Sequence, residues 1–347
     1  MKYIGYIGTY TKKESKGIYS FELNTESKKI ENISLAAELG NPTYLNITDD
    51  KKFLYSIASE NGKGGLASYS INQETAELTF INHQLVDGPN PCHVNTGKNH
   101  RYLFSTNYHK GTVDSYLIHE DGSFSPAVST IQLTGSGPDP RQEKAHVHFA
   151  GMTPDEKYVA VIDLGSDLLI TYDMEKNGKL TEVNRMETPA GSGPRHLVFH
   201  PNIDTIAYLV TEFSSEVFVL SYDSENGSFS IKEAVKTIPE NFNENNQGSA
   251  IHISSDGKFV YSGNRGHNSI AVFQVDEQSG NLSFIENTSS EGNWPRDFSL
   301  DPSEKFLICS NQESNDLTLF ERDTDTGTLT LIEKNISVPE PVCVKFL

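Results

Sequence analysis

Basic residues are scarce in this chain. Its 347 residues carry 28 Lys and Arg against 47 Asp and Glu, a formal net charge of −19. Such a charge balance argues against nucleic acid and anionic membrane as partners. Long apolar runs are missing as well. The N-terminus MKYIGYIGTYTKK lacks the roughly 7–15-residue apolar core of a secretion signal, and no window approaches the ~18 apolar residues of a membrane span. A cytoplasmic protein is the expectation. Cysteine occurs three times, at 92, 309 and 343, an odd and scattered set that reads as buried thiols rather than disulfides or a metal knuckle. Tryptophan occurs once, at Trp294, so the Trp-Asp pairs of WD repeats are absent, as is the kelch double glycine. No GxSxG elbow, GxGxxG fingerprint or P-loop is present, which leaves serine-triad hydrolysis, dinucleotides and nucleoside triphosphates unsupported.

What the chain does have is an internal repeat. Gly193 to Glu216 (GPRHLVFHPNIDTIAYLVTEFSSE) and Asn293 to Asp316 (NWPRDFSLDPSEKFLICSNQESND) share Pro-Arg, a proline seven residues on, an apolar run and a Ser-containing turn in step. Related segments lead in near Pro42, Pro91, Val147, Pro194, Gly248 and Pro295, a spacing of roughly 50 residues. Each unit reads as a short apolar strand, a polar turn (TPDEK, SSDGK, DPSEK), two more strands, and a last hairpin whose Gly suits a positive-φ turn. Period-2 alternation and β-branched content exclude a helical solenoid. Four antiparallel strands per unit describe a propeller blade. Residues 1–39 lack a first strand, and VPEPVCVKFL (Val338 to Leu347) is a first strand with nothing after it. The expectation is therefore an all-β, seven-bladed β-propeller occupying 1–347 as one domain, closed by the C-terminal strand joining the N-terminal blade.

First strands line the channel of a propeller, so equivalent positions form rings. One ring reads Thr43, Cys92, His148, Arg195, Ser249, Arg296 and Val342. A second, at the end of the second strand, reads Ala58, Asn107, Asp163, Glu212, Asn264 and Asn311, with Arg265 and Gln312 directly after the last two. Only seven arginines occur, and three fall on or beside these rings. Arginines gathered at one axis call for an anion, because the planar fork pairs with carboxylate or phosphate and unpaired burial is costly. The plainer alternative is that Arg195 and Arg296 simply pair with Glu212 and Asp297. His146 and His148, two apart on a strand, are expected on one face; His148 serves better as a proton carrier than as half of a metal site. His196 is expected to point away from Arg195, and His200 to sit structurally beside Pro201.

Several spaced motifs, RQEKAHVHF (Arg141 to Phe149), GPRHLVFHP (Gly193 to Pro201), TEFSSEV (Thr211 to Val217), GNRGHNSIAVF (Gly263 to Phe273), PRDFSLDP (Pro295 to Pro302) and the opening YIGTYT, closely resemble the lactonase family of seven-bladed propellers. That family includes cytoplasmic bacterial 6-phosphogluconolactonases and fungal carboxy-muconate cyclases. The resemblance implies a catalytic set of His148, Arg195, Glu212 and Arg265. Arg141, His146, Asn264, Arg296 and Gln312 are the expected substrate-binding residues, with no metal and no cofactor. Three functions stay open at this point: hydrolysis of a small anionic lactone, 6-phospho-D-glucono-1,5-lactone; lactonising isomerisation of a muconate-type dicarboxylate; and a non-catalytic binding platform.

Overall fold

The computed structural model describes residues 1–347 and contains 28 strands and no helix. They form seven four-stranded antiparallel sheets. Each unit of the repeat makes one sheet, as in Pro194–Phe199, Ile206–Thr211, Glu216–Asp223 and Ser228–Lys236. The remaining sheet comes from both chain ends. Pro341–Phe346 pairs with Lys2–Thr9 from Gly5↔Phe346 to Thr9↔Pro341, and Gly17–Asn24 and Lys29–Glu38 complete the blade. The inner strands touch one another all the way round, so the seven blades close into a ring.

Local sequence explains the hairpins. In three inner turns a Thr or Ser hydroxyl donates to an Asp two residues on: Thr48 to Asp50 at 2.7 Å, Thr153 to Asp155 at 2.6 Å and Ser254 to Asp256 at 2.6 Å. These side-chain bonds compete with continuation of the strand and reverse it. In the outer turns Gly227, Gly280 and Gly327 take φ of +71°, +74° and +75°, the conformation anticipated for that glycine.

Apolar faces pack blade against blade in seven hydrophobic clusters, one at each junction around the ring. A recurrent tyrosine of the second strand spans each of several junctions. The hydroxyls of Tyr6, Tyr55, Tyr208 and Tyr261 donate to carbonyls in the next blade's outer turn, those of Ala76, Gly122, Gly280 and Gly327, at 2.6, 3.1, 2.8 and 2.8 Å. Each bond satisfies a hydroxyl buried among apolar side chains, where an unpaired one would cost about 1–3 kcal/mol.

One departure from regular pairing positions the candidate site residues. Near the start of four inner strands the ladder slips, between Val147 and Phe149, Pro194 and His196, Gly248 and Ile251, and Pro295 and Asp297. His148, Arg195 and Arg296 are the extra residues of β-bulges, which twist a strand and re-aim its side chains. Bulges at equivalent positions of successive blades place these side chains at one end of the channel.

Candidate active site

The leading ends of the inner strands surround a cavity of about 370 Å³ whose wall includes His148, Arg195, Glu212, Arg265 and Arg296. Glu212 is its electrostatic centre. Oε2 accepts from Nε of Arg195 at 3.1 Å and from Nη2 of Arg265 at 2.7 Å. The two guanidiniums are themselves pinned, Arg195 Nη1 donating to the Ser249 carbonyl and Arg265 Nη2 to the Gly248 carbonyl at 2.8 Å. Arg195 Nη2, Arg265 Nη1 and Glu212 Oε1 are left without protein partners.

Burial pushes the Glu212 carboxyl up, but Arg265 and then Arg195 outweigh it and hold it below the usual carboxylate range. Burial and the facing Arg265 lower Arg195 to about 10, against the pull of Glu212, so it remains a cation at neutral pH. His148 is held well below its ordinary value, first by burial and then by Arg195 and Arg296. It is a neutral imidazole at pH 7. One ring nitrogen, Nδ1, meets Nε2 of His196 at 3.2 Å, and the other has no protein partner.

Several expectations are corrected by this geometry. The bulge at Arg195 breaks the alternation, so His196 does not point away; it lines the cavity beside Arg195 and bonds His148. For the same reason His146 and His148 do not share a face. His146 lies outside the cavity wall, its Nδ1 donating to the Tyr108 carbonyl at 2.8 Å, its Nε2 3.1 Å from Glu143, and its ring stacked on Tyr108 at 4.0 Å. Asn264 is turned into the blade junction, where it accepts from Thr237 Oγ1 at 2.7 Å and donates to the Thr237 carbonyl at 2.9 Å. Arg141 stacks over Phe213 at 3.8 Å and pairs with Asp139, outside the wall. Gln312 is also outside it, accepting from Arg296 Nη1 at 3.3 Å. Arg195 pairs with Glu212 as the plainer alternative held, but Arg296 does not pair with Asp297, which is matched instead by Lys345 at 3.5 Å and His252 at 3.4 Å. Cys309 and Cys343 are buried, whereas Cys92 is half-buried and lines the cavity.

Glu212 stands one residue beyond the other members of the second ring. Asp163, Asn264 and Asn311 pair across from Val147, Gly248 and Pro295, and the residue across from Pro194 is Thr211. The side chains of Asp163 and Thr211 bond the turns that follow, and those of Asn264 and Asn311 reach the first residue of the next strand. The next position faces the channel, and there Glu212 and Arg265 stand with Tyr108, which follows Asn107. Tyr108 was missed although this register would have found it. Also missed were Tyr10 and Lys12, which line the mouth from the N-terminal blade.

Tyr44 and His196 line this cavity and also a second one, of about 380 Å³, at the opposite end of the channel. Together with His93, whose ring lies 4.5 Å from that of Tyr44, they divide the channel.

A model of the family described as Lactonase, 7-bladed beta-propeller, matches residues 4–346. The chain is 53% identical over 346 residues to the 6-phosphogluconolactonase of Bacillus subtilis, covering 100% of this chain and 99% of that one. Among solved structures, a Lactobacillus plantarum protein superposes with a TM-score of 0.96 at 41% identity over 100% of both chains. The periplasmic gluconolactonase of Pseudomonas aeruginosa superposes at 0.94 with 30% identity, over 100% of this chain and 99% of that one.

Proposed function

The chain belongs to the seven-bladed β-propeller lactonase family, and from that premise we propose that it hydrolyses 6-phospho-D-glucono-1,5-lactone to 6-phosphogluconate in the cytoplasm, as a step of the pentose phosphate pathway. The observation that carries the chemistry is the Arg195–Glu212–Arg265 triad, two fixed cations with unpartnered N–H groups in a buried cavity wall. The ester carbonyl is set against Arg195 Nη2 and Arg265 Nη1, where oxyanion charge develops without reorganisation of solvent. Water adds to the carbonyl carbon as the unpartnered nitrogen of His148 takes its proton. Collapse of the tetrahedral intermediate breaks the bond from the carbonyl carbon to the ring oxygen. That oxygen leaves as the C5 hydroxyl after receiving the proton back from His148, and the new carboxylic acid then ionises.

Glu212 is assigned the positioning of both arginines. Its depressed pKa makes it a poor proton acceptor and a durable counterion. The proton role falls to His148, neutral at rest. An anionic substrate offsets Arg296, one of the charges that oppose protonation of His148, so binding makes the imidazole a better base.

The test is hydrolysis of freshly generated 6-phosphogluconolactone by the purified, chelator-treated protein, measured against spontaneous opening. Arg265→Ala is expected to lower kcat by about 10²–10³, the usual cost of one oxyanion donor, and Glu212→Gln to lower it through disordered arginines. A wild-type rate no greater than the blank would overturn the lactonase reading.

A further inference from the structure

Two cations at the cavity mouth have no counterion. Arg296 spends one N–H on Gln312 Oε1 and forms no ion pair, and Lys12 forms none either. This is unusual in a chain of net charge −19, where acids outnumber bases 47 to 28. The wall as a whole holds four cations, Lys12, Arg195, Arg265 and Arg296, against two carboxylates, Glu212 and Asp297. Asp297 is already matched by Lys345 and Glu212 is shared by Arg195 and Arg265. Glu212 offsets only one of its two arginines, which leaves one charge shared within the triad, while Lys12 and Arg296 carry two more that no carboxylate meets.

Both cations are gathered on one ring. Lys12 Nζ stands 3.8 Å from the Tyr10 ring centroid and the Arg296 guanidinium carbon 5.4 Å from it. A tyrosine face attracts cations and offsets the mutual repulsion of two like charges. The Tyr10 hydroxyl has no protein partner. The segment that carries Lys12 is pinned on both flanks: Thr11 N donates to Asn41 Oδ1 at 3.2 Å, Asn41 N donates to Thr11 Oγ1 at 3.1 Å, and Lys13 N donates to Glu340 Oε2 at 2.8 Å. It comes from the N-terminal blade, next to the one that supplies Arg296, so ring closure itself brings the two together.

We propose that Lys12, Tyr10 and Arg296 form a phosphomonoester subsite, separate from the Arg195–Glu212–Arg265 triad, that selects the phosphorylated lactone over the unphosphorylated one. It rests on the lactonase reading only for the identity of the rest of the substrate. A phosphomonoester carries about −1.5 to −2 charge at pH 7, which the two unpaired cations match. Arginine supplies a planar fork to two phosphate oxygens and lysine a point charge to the third. The lactone ring then extends inward to the triad, and a neutral gluconolactone leaves the subsite unpaired.

The experiment compares kcat/KM for 6-phosphogluconolactone and for glucono-1,5-lactone in wild type, Lys12→Met, Arg296→Met and the double variant. Calorimetric binding of 6-phosphogluconate and of gluconate to the same four proteins accompanies it. The proposal expects the ratio of the two kcat/KM values to fall about tenfold in each single variant and further in the double, and 6-phosphogluconate affinity to fall likewise while gluconate affinity changes by less than threefold. Parallel losses on both lactones, or unchanged discrimination, would overturn it. Should wild type hydrolyse neither lactone, the lactonase reading fails, and the subsite is judged by the binding comparison alone: preference for 6-phosphogluconate lost in the variants upholds it, and its absence or persistence sinks it.

Discussion

Nε2 of His196 lies 3.2 Å from Nδ1 of His148, joining two buried imidazoles on adjacent blades. Both are held well below the ordinary histidine range by burial and then by Arg195, so at pH 7 both are neutral and a single hydrogen occupies the link. For the second nitrogen of His148 to accept a proton from water, that hydrogen must sit on Nδ1 and be donated to His196. In the proposed mechanism His196 is therefore the acceptor that favours the tautomer leaving the second nitrogen of His148 free.

His196→Phe is therefore expected to lower kcat by about 10²-fold, the lower range for a general base, with little effect on KM. His196→Gln, whose amide oxygen can accept from His148 Nδ1, retains most of the rate. A merely structural histidine would give equal losses in both variants, and equal kcat values would remove it from this role.

Glu212 and its two arginines are almost fully enclosed, with side chains 12%, 4% and 5% exposed. Removing one member of a buried ionic set leaves an uncompensated charge, which costs about 3–5 kcal/mol. Glu212→Gln leaves two facing guanidiniums, so its thermal midpoint drops by several degrees. Added 6-phosphogluconate, supplying negative charge to the same cavity, is expected to raise the midpoint of the variant more than that of wild type. An equal or smaller rise in the variant would show that the product does not reach the triad.

Acid sensitivity follows from the channel histidines. His93, lowered to about 3 by burial and then Lys345, joins His148 and His196 as a third imidazole buried neutral. In the unfolded chain each titrates near 6.5, roughly its free value. Below that pH the unfolded state binds more protons, so stability is full above pH ~6.5 and declines as pH falls toward the depressed folded values. The slope approaches about 1.4 kcal/mol per pH unit for each histidine. Denaturant midpoints should thus fall steadily between pH 7 and 5, before the carboxylates titrate, and His93→Phe should flatten part of that fall. A pH-independent midpoint over this window would contradict burial of neutral imidazoles.

The ring was legible in the sequence because it is written once per blade. The turn TPDEK recurs as SSDGK and DPSEK, and the glycines of the outer hairpins sit where positive φ is needed. Closure was legible because VPEPVCVKFL supplies the one strand that the N-terminal blade lacks. Face assignments near the cavity were not, since period-2 alternation fails at a bulge and a bulge leaves no residue signature in one sequence. Alternation gives the wrong face for His196 and puts His146 on the face of His148 for that single reason. Tyr108 is not marked by the repeat because it, like Glu212, stands one residue beyond the paired position of the ring. Lys12 escaped because it lies in a loop outside every ring position, and its placement depends on the meeting of the chain's two ends.

That meeting also carries a buried charge across the closure. Lys345, the fifth residue of the closing strand Pro341–Phe346, lies 3.5 Å from Asp297 of the preceding blade, and Val344 N donates to the same carboxylate at 3.1 Å. Burial pushes the Asp297 carboxyl up, but Lys345, then His252, outweigh it and hold the group far below the carboxylate range. With folded pKa depressed, the pair stabilises the ring above the unfolded value of about 3.9 and loses this only in strong acid. Lys345→Met reverses the sign. Asp297 is then a buried carboxylate with only His252 and an amide, its folded pKa rises, and the missing counterion costs about 3–5 kcal/mol at pH 8. The deficit relative to wild type is expected to narrow on going to pH 5, where Asp297 takes up a proton, and to shrink at every pH in the double variant Lys345→Met, Asp297→Asn. Equal deficits at pH 8 and 5, measured by denaturant titration, would show that the closing strand is held by its backbone ladder and apolar contacts without help from this ion pair.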